Sequence, residues 1–175
     1  GEVQKLLDDF KMPYTGSSAL SSAIAMNKII SKKIYKNYSL KTPYSVSIPF
    51  ENLERQIIKD VYHSMPAPFV VKPSSAGSSI GVYIVQSLPE LEEAIIAAAQ
   101  YSPAVIIEEF ISGKEATCGV IEDFRGKDYY SLLPVEIKHQ SDFFDYNSKY
   151  SDNGTEEICP GNFSPNETEK IQRMA

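Results

Sequence analysis

A serine- and glycine-rich loop between two runs of β-forming residues constrains the fold of this chain more than any other feature. In PFVVKPSSAGSSIGVYIVQ, residues 68–86, PFVVK and VYIVQ flank the loop, and Lys72 stands directly before it. Glycines allow a tight backbone, and the hydroxyl and N–H groups of Ser78 and Ser79 can bind an anion beside the lysine charge. The stretch predicts a strand–loop–strand unit, either a phosphate-binding loop or a flexible hairpin with a solvated lysine.

The sequence disfavours two common nucleotide-binding folds. A Walker A loop carries its lysine after the last glycine and leads into a helix, whereas a strand follows this loop. The GxGxxG sequence of a Rossmann unit is also missing from the chain. A phosphate loop here would therefore belong to another fold.

Apolar periodicity predicts helices and strands that together indicate an α+β fold, with helices on one face of the sheets. The predicted helices are 2–10, 17–38, 50–65, 87–100 and 164–175, and the strands are 42–48, 68–72, 82–86, 104–111, 115–123 and 129–138. The predicted helix caps are Ser17 or Ser18, Ser87 with Glu90, and Ser164 with Glu167. The inward residues of the third helix are predicted to be Phe50, Leu53, Ile57 and Val61. The segment FRGKD is predicted to be a hairpin turn.

Composition bounds the class of protein. The 175 residues suffice for one ordinary domain or two small ones, and the net charge of −6 argues against nucleic-acid or anionic-membrane partners. No apolar run approaches the ~20 residues that span a bilayer, and no signal peptide opens the chain. Cys118 and Cys159 lie too far apart for a disulfide framework or zinc site, so we expect a reduced, cytoplasmic protein.

Three further segments carry candidate chemistry, and each has a plainer alternative. In AVIIEEFISGKEAT, the strand end after Glu108 could bind an adenine edge and Glu115 a ribose, or the strand could be an exposed edge protected by charge. Lys28, Lys32 and Lys33 cluster on a predicted helix, where they could belong to a site or could simply form a solvated face. The polar loop 139–159 is long enough to be a lid over a site, or a surface excursion.

Together and in this order, these stretches resemble the D-alanine–D-alanine ligases of the ATP-grasp superfamily. VVKPSSAGSSIGV is similar to that family's phosphate loop and IIEEFISGKEAT to its adenine hinge. LLPVEI and FFDYNSKY are similar to its substrate strand and omega loop, PYTGS and the following helix to its earlier segments, and CPGNFS to a later one.

The resemblance implies an activity. ATP phosphorylates the carboxylate of one D-alanine, and the amine of a second D-alanine attacks the acyl phosphate to give the dipeptide of peptidoglycan. It implies Mg²⁺ or Mn²⁺ beside ATP, no nucleic-acid or membrane partner, and a homodimer for the intact enzyme. Positioning and electrostatic stabilisation would supply the catalysis.

The resemblance also assigns residues. Lys28, Lys72 and Lys149 would bind ATP phosphates, Tyr150 would join Ser78 at the D-alanine site, and a tyrosine there favours an amine over a hydroxy acid as nucleophile. The implied catalytic residues are Ser78, Lys149 and Tyr150, and the implied ATP-binding residues are Lys28, Lys72, Gly77, Ser78, Ser79, Glu108, Glu109, Phe110, Ile111, Glu115 and Lys149.

The implied subdomains are a remnant of the N-terminal substrate domain (1–16), the central ATP-grasp subdomain (17–107) and the first part of the C-terminal subdomain (108–175), with the omega loop at 139–159. The chain begins without Met and stops within a helical pattern, so we expect a piece of a longer protein that is inactive alone. No metal ligands are assigned, because Asp142, Asp145, Glu156 and Glu157 belong to the omega-loop pattern and the family's ligands are expected further along. The alternatives are another ATP-grasp carboxylate–amine ligase, or a non-catalytic nucleotide-binding module.

Overall fold

The computed structural model describes residues 1–139 and 155–175 of the chain. These residues form two compact units, Gly1–Ile111 and Ser112–Ala175. Both contain helices and antiparallel strands, so the predicted α+β class is confirmed. The predicted subdomain limits, after residues 16 and 107, rest on family resemblance and stay predictions. Among the described helices, none is long and apolar enough to cross a membrane.

The first unit is built on a four-stranded antiparallel sheet in the order β1-β4-β2-β3. Its strands are β1 (Ser45–Pro49), β2 (Phe69–Pro73), β3 (Tyr83–Val85) and β4 (Ala104–Glu109). β4 pairs on both sides, so the alternative that it is an exposed edge strand is wrong. Side chains alternate across the sheet, so apolar residues such as Val71 and Ile107 enter the core while Lys72 and Glu108 face the other way.

Two helices cover the apolar face of this sheet. They are α4 (Arg55–Ser64) and α5 (Leu88–Ala99), and α5 begins with the predicted capping box of Ser87 and Glu90. Val61 is buried, and Leu53 and Ile57 pack against the core, as predicted. The prediction for Phe50 is wrong, because this residue lies in a 3₁₀ turn before the helix and is 56% exposed.

The predicted helix over 17–38 is two helices. After α1 (Glu2–Asp9), the chain forms α2 (Ala19–Met26), capped by Ser18, and α3 (Lys28–Asn37). Asn27 separates them: its ψ of 103° leaves the helical region, and its Oδ1 accepts hydrogen bonds from the N–H groups of Ile29 and Ile30. An asparagine at this position caps a new helix rather than continuing the old one. The break places Lys28 in the first turn of α3.

The described residues of the second unit form two small sheets and one helix. Its elements are β5 (Glu115–Thr117), β6 (Val120–Phe124), β7 (Lys127–Ser131), β8 (Val135–His139), β9 (Thr155–Ile158) and α6 (Pro165–Met174), with sheets β5-β8-β9 and β6-β7. Each long strand predicted here is therefore two strands in different sheets, interrupted near Gly119 and at residues 132–134. The hairpin turn is confirmed, because Arg125 and Gly126 have positive φ between β6 and β7. The capping box of Ser164 and Glu167 is also confirmed.

Candidate active site

The loop between β2 and β3 contains a strained tight turn. Ser78 and Ser79 have φ values of 51° and 57°, and the N–H of Ile80 donates to the carbonyl of Gly77 at 3.0 Å. Two successive positive φ angles are the signature of a type I′ turn, in which glycine or asparagine is usual. Serine at both positions stores strain, and such strain concentrates at ligand-binding sites. Ser78 in this turn is exposed and Ser79 is partly exposed.

The base of this loop is held by buried hydrogen bonds. Ser74 is 2% exposed, its N–H donates to the Ala104 carbonyl at 2.9 Å, and its Oγ lies 2.6 Å from the Oγ of Ser102. Lys28 Nζ donates to the carbonyls of Pro73 at 2.9 Å and Ala76 at 2.6 Å. The predicted phosphate-binding lysine thus supports the loop directly, and its ammonium group keeps one donor for a ligand.

Glu108 is the centre of a charge network on the polar face of the sheet. The residue is 6% exposed, and its carboxylate accepts from Lys32 and from Lys72, whose Nζ lies 2.5 Å from Oε2. Burial raises the pKa of Glu108, but the hydrogen bonds and charges of the two lysines outweigh it and hold that pKa below its ordinary value. The carboxylate is therefore ionised at neutral pH, and Lys72 is held beside the serine loop.

The Lys28 ammonium group lies in a less favourable field. Burial and the nearby charge of Lys72 lower the pKa of Lys28, and the charge of Glu108 opposes this shift only in part. An anion placed against the loop would relieve this repulsion between the two lysines. The arrangement is thus electrostatically suited to a phosphate group.

The strand end predicted to contact adenine is partly paired with protein. The Glu109 N–H donates to the Tyr44 carbonyl at 3.1 Å, the Glu109 carboxylate accepts from the Tyr44 N–H at 2.7 Å, and the Phe110 N–H donates to the Pro68 carbonyl at 3.1 Å. Within the described residues, no hydrogen bond involves the N–H of Ile111, which is 62% exposed. One backbone donor therefore remains for a ligand at this end of β4.

The structure brings together part of the predicted site. Lys28, Lys72, Glu108 and the loop with Gly77, Ser78 and Ser79 all belong to the first unit, whereas Glu115 begins β5 in the second. Lys149, Tyr150 and most of the predicted lid at 139–159 lie outside the described residues. No group of three or more His, Cys, Asp or Glu side chains in the described ranges could hold a metal ion.

Sequence reasoning missed two buried contacts. Lys32, grouped with a solvated face, donates to Glu108 and to the Pro43 carbonyl; its four-residue spacing from Lys28 was the available signal. Glu136 in β8 is 3% exposed and accepts from the N–H and Nδ2 of Asn162 at 2.9 and 2.8 Å. These hydrogen bonds lower the pKa of Glu136 and tie β8 to the loop before α6.

Comparison with known proteins gives a consistent family. The model of the D-ala D-ala ligase C-terminus matches residues 21–175. The chain is 37% identical over 175 residues to a D-alanine–D-alanine ligase of Hydrogenovibrio crunogenus, covering 99% of this chain and 52% of that protein. It is 40% identical over 158 residues to D-alanine–D-alanine ligase A of Bacillus cereus, covering 90% of this chain and 49% of that protein.

Solved structures of ligases are also similar to this chain. VanG D-Ala:D-Ser ligase from Enterococcus faecalis superposes with a TM-score of 0.85 at 30% identity, covering 99% of this chain and 50% of that one. D-alanine–D-alanine ligase from Bacillus anthracis superposes with a TM-score of 0.76 at 35% identity, covering 99% and 54%. The chain spans about half the length of the curated relatives it matches.

Proposed function

Because the chain belongs to the D-alanine–D-alanine ligase family and has its ATP-grasp fold, we propose that it forms much of the ATP site of an enzyme that joins two D-alanines. The observation that carries this proposal is the buried carboxylate of Glu108 with Lys32 and Lys72, beside the strained serine loop. The residues present fit a nucleotide: two lysines with spare donors, serine N–H and hydroxyl groups, and a free N–H at the end of β4.

Each candidate site residue that the structure describes has a defined task in this proposal. Lys72 keeps two of its three donors beyond Glu108 and would bind ATP phosphates, and Lys28 would add its remaining donor. Ser78 and Ser79 would cover the phosphates. The Ile111 N–H and the Glu109 carbonyl would contact adenine, while Glu115 would bind the ribose.

The reaction proposed for the intact enzyme has two steps. An oxygen of the first D-alanine's carboxylate attacks the γ-phosphorus of ATP, which releases ADP and leaves an acyl phosphate. The amine of the second D-alanine then attacks the acyl carbon, phosphate leaves, and D-alanyl-D-alanine forms. No protein nucleophile is needed, so the protein's task is to position the groups and stabilise charge. Lys149 and Tyr150 stay predictions here, with Lys149 at the γ-phosphate and Tyr150 beside Ser78.

The further proposals concern the intact protein. Mg²⁺ or Mn²⁺ would neutralise the transferring phosphate, and its ligands are expected outside the described residues. We propose a cytoplasmic homodimer that serves peptidoglycan synthesis. The second substrate needs a direct test, because the Enterococcus faecalis neighbour is named for D-serine.

Product analysis of the full-length protein tests the activity. With ATP, Mg²⁺ and equal amounts of D-alanine, D-serine and D-lactate, we expect D-alanyl-D-alanine as the main product and one ADP per dipeptide. D-Alanyl-D-serine as the main product would reassign the second substrate. ATP binding without any ligation would favour the non-catalytic module, and ligation of another carboxylate would favour a different ATP-grasp ligase.

The nucleotide site has its own test. Lys72→Gln should weaken ATP binding by about 1.5–3 kcal/mol, roughly ten- to a hundredfold, because a charged hydrogen bond is lost. Lys59→Gln on α4 makes the same charge change on a helix that covers the opposite face of the sheet, and should bind ATP like the wild type. Calorimetric titration of the full-length protein measures both, and equal ATP affinity of wild type and Lys72→Gln would remove Lys72 from the site.

A further inference from the structure

A second feature of the first unit is a cavity of about 500 Å³ between α3, the following loop and β1. Ile29 and Lys33 of α3, Lys41 and Tyr44 of the loop and Ser47 of β1 are among its lining residues. The lining includes neither Lys28 and Lys72 nor any residue of the serine loop. Its volume lies in the range of sites that take small molecules.

The charge of this cavity is one-sided. Lys32, Lys33, Lys36 and Lys41 all line it, and its described lining contains no aspartate or glutamate. Lys32 is neutralised by Glu108, but Lys33, Lys36 and Lys41 form no ion pair with any described residue. Three unpaired ammonium groups around one concavity are unexpected in a chain with a net charge of −6. A concave surface with one sign of charge concentrates ions of the opposite sign.

The remaining lining defines the shape of a ligand. Thr42, Ser45 and Ser47 supply hydroxyl groups, whereas Ile29, Leu40 and Ile106 supply apolar walls. Lysines bind phosphate as point charges, and apolar walls favour an organic body over an inorganic ion. We infer that this cavity is a binding site for a small organic phosphate, held by Lys33, Lys36 and Lys41.

The experiment is a calorimetric titration of the chain with phenyl phosphate and with inorganic phosphate, at constant ionic strength. Lys36→Gln/Lys41→Gln removes two exposed lysines of the cavity and leaves the contact of Lys32 with Glu108 in place. Lys5→Gln/Lys11→Gln is the matched control, because it removes two exposed lysines outside the cavity. Lys72→Gln tests whether the probe binds at the serine loop instead.

Wild type should bind phenyl phosphate more tightly than inorganic phosphate. Lys36→Gln/Lys41→Gln should lose roughly tenfold or more in affinity, because two charged contacts are removed, whereas Lys5→Gln/Lys11→Gln should stay within about twofold of wild type. The site is overturned if wild type does not bind, if the control double variant loses as much affinity, or if only Lys72→Gln loses it. Equal affinity for the two probes overturns the organic class of ligand.

Discussion

At the scale of single residues, the carboxylate of Glu108 holds two lysines of the first unit, Lys32 and Lys72. It is nearly buried, and both of its partners are themselves mostly covered, with Lys32 and Lys72 side chains 15% and 27% exposed. Removing one member of such a group leaves charges without a counterion in a poorly solvated place. Breaking these ion pairs should therefore cost more stability than breaking surface pairs does.

Glu108→Gln should lower the free energy of unfolding of the first unit by about 1–3 kcal/mol at pH 7, because two charge-assisted hydrogen bonds are weakened. Urea unfolding measures the change. Glu51→Gln is the control, since Glu51 is exposed and forms no ion pair with a described residue.

The same variant has a defined pH dependence. The pKa of Glu108 is depressed in the folded chain, so its contribution is fully present above its unfolded pKa of about 4.3 and is lost as pH falls through the lower, folded pKa. The difference between wild type and Glu108→Gln should therefore shrink below about pH 4. A difference that stays constant from pH 7 down to the acid limit of folding would contradict this role.

The residue scale also marks a limit of sequence reasoning. The motifs predict Lys72 and Glu108 as site residues, but they leave Lys32 open between a lysine cluster and a solvated face. Lys32 and Glu108 are 76 positions apart, and only the sheet order brings β4 under α3. A helical lysine looks the same in sequence whether its partner is water or a distant carboxylate.

At the scale of elements, local chemistry was the reliable guide. Caps at Ser18, Ser87 and Ser164 were predictable because each is a short-range hydrogen bond. The break at Asn27 was missed because apolar periodicity continues through it. In the second unit, each predicted long strand is two shorter strands in different sheets. Strand propensity does not predict this division, because it does not say which sheet a segment joins.

The serine loop offers a prediction with an internal control. Gly81 has a φ of 69°, and a Cβ there would lie 2.8 Å from atoms of Pro73 and Tyr101, whereas a Cβ on Gly77 would meet nothing within 4 Å. Gly81→Ala should destabilise the first unit by about 1–3 kcal/mol through backbone strain and the clash. Gly77→Ala should change stability by less than about 0.5 kcal/mol. Thermal unfolding followed by circular dichroism compares them, and equal melting temperatures for the two variants would show that the loop is not held as described.

At the scale of the whole molecule, the two units differ in how much core they contain. The buried hydrophobic side chains of the described residues all lie between Ile48 and Ile107, in the first unit. In the second unit Pro134 is fully buried, but Tyr129 and Leu133 are 70% and 54% exposed. The described residues of the second unit thus bury few apolar side chains, and a unit with little apolar core rarely offsets the conformational entropy that folding removes. We therefore expect the first unit to be the more stable of the two.

This asymmetry predicts that residues 1–111 fold alone and that residues 112–175 do not. The isolated first unit should unfold cooperatively in urea, and the second should show poor chemical-shift dispersion by NMR. Ile107→Val should destabilise the isolated first unit by about 0.5–1.5 kcal/mol, because Ile107 is fully buried. Ile111→Val, at a position 62% exposed, should be nearly neutral and serves as the control. If Ile107→Val were as neutral as Ile111→Val, the isolated unit would lack the described core, and a cooperatively folding second unit would equally contradict the prediction.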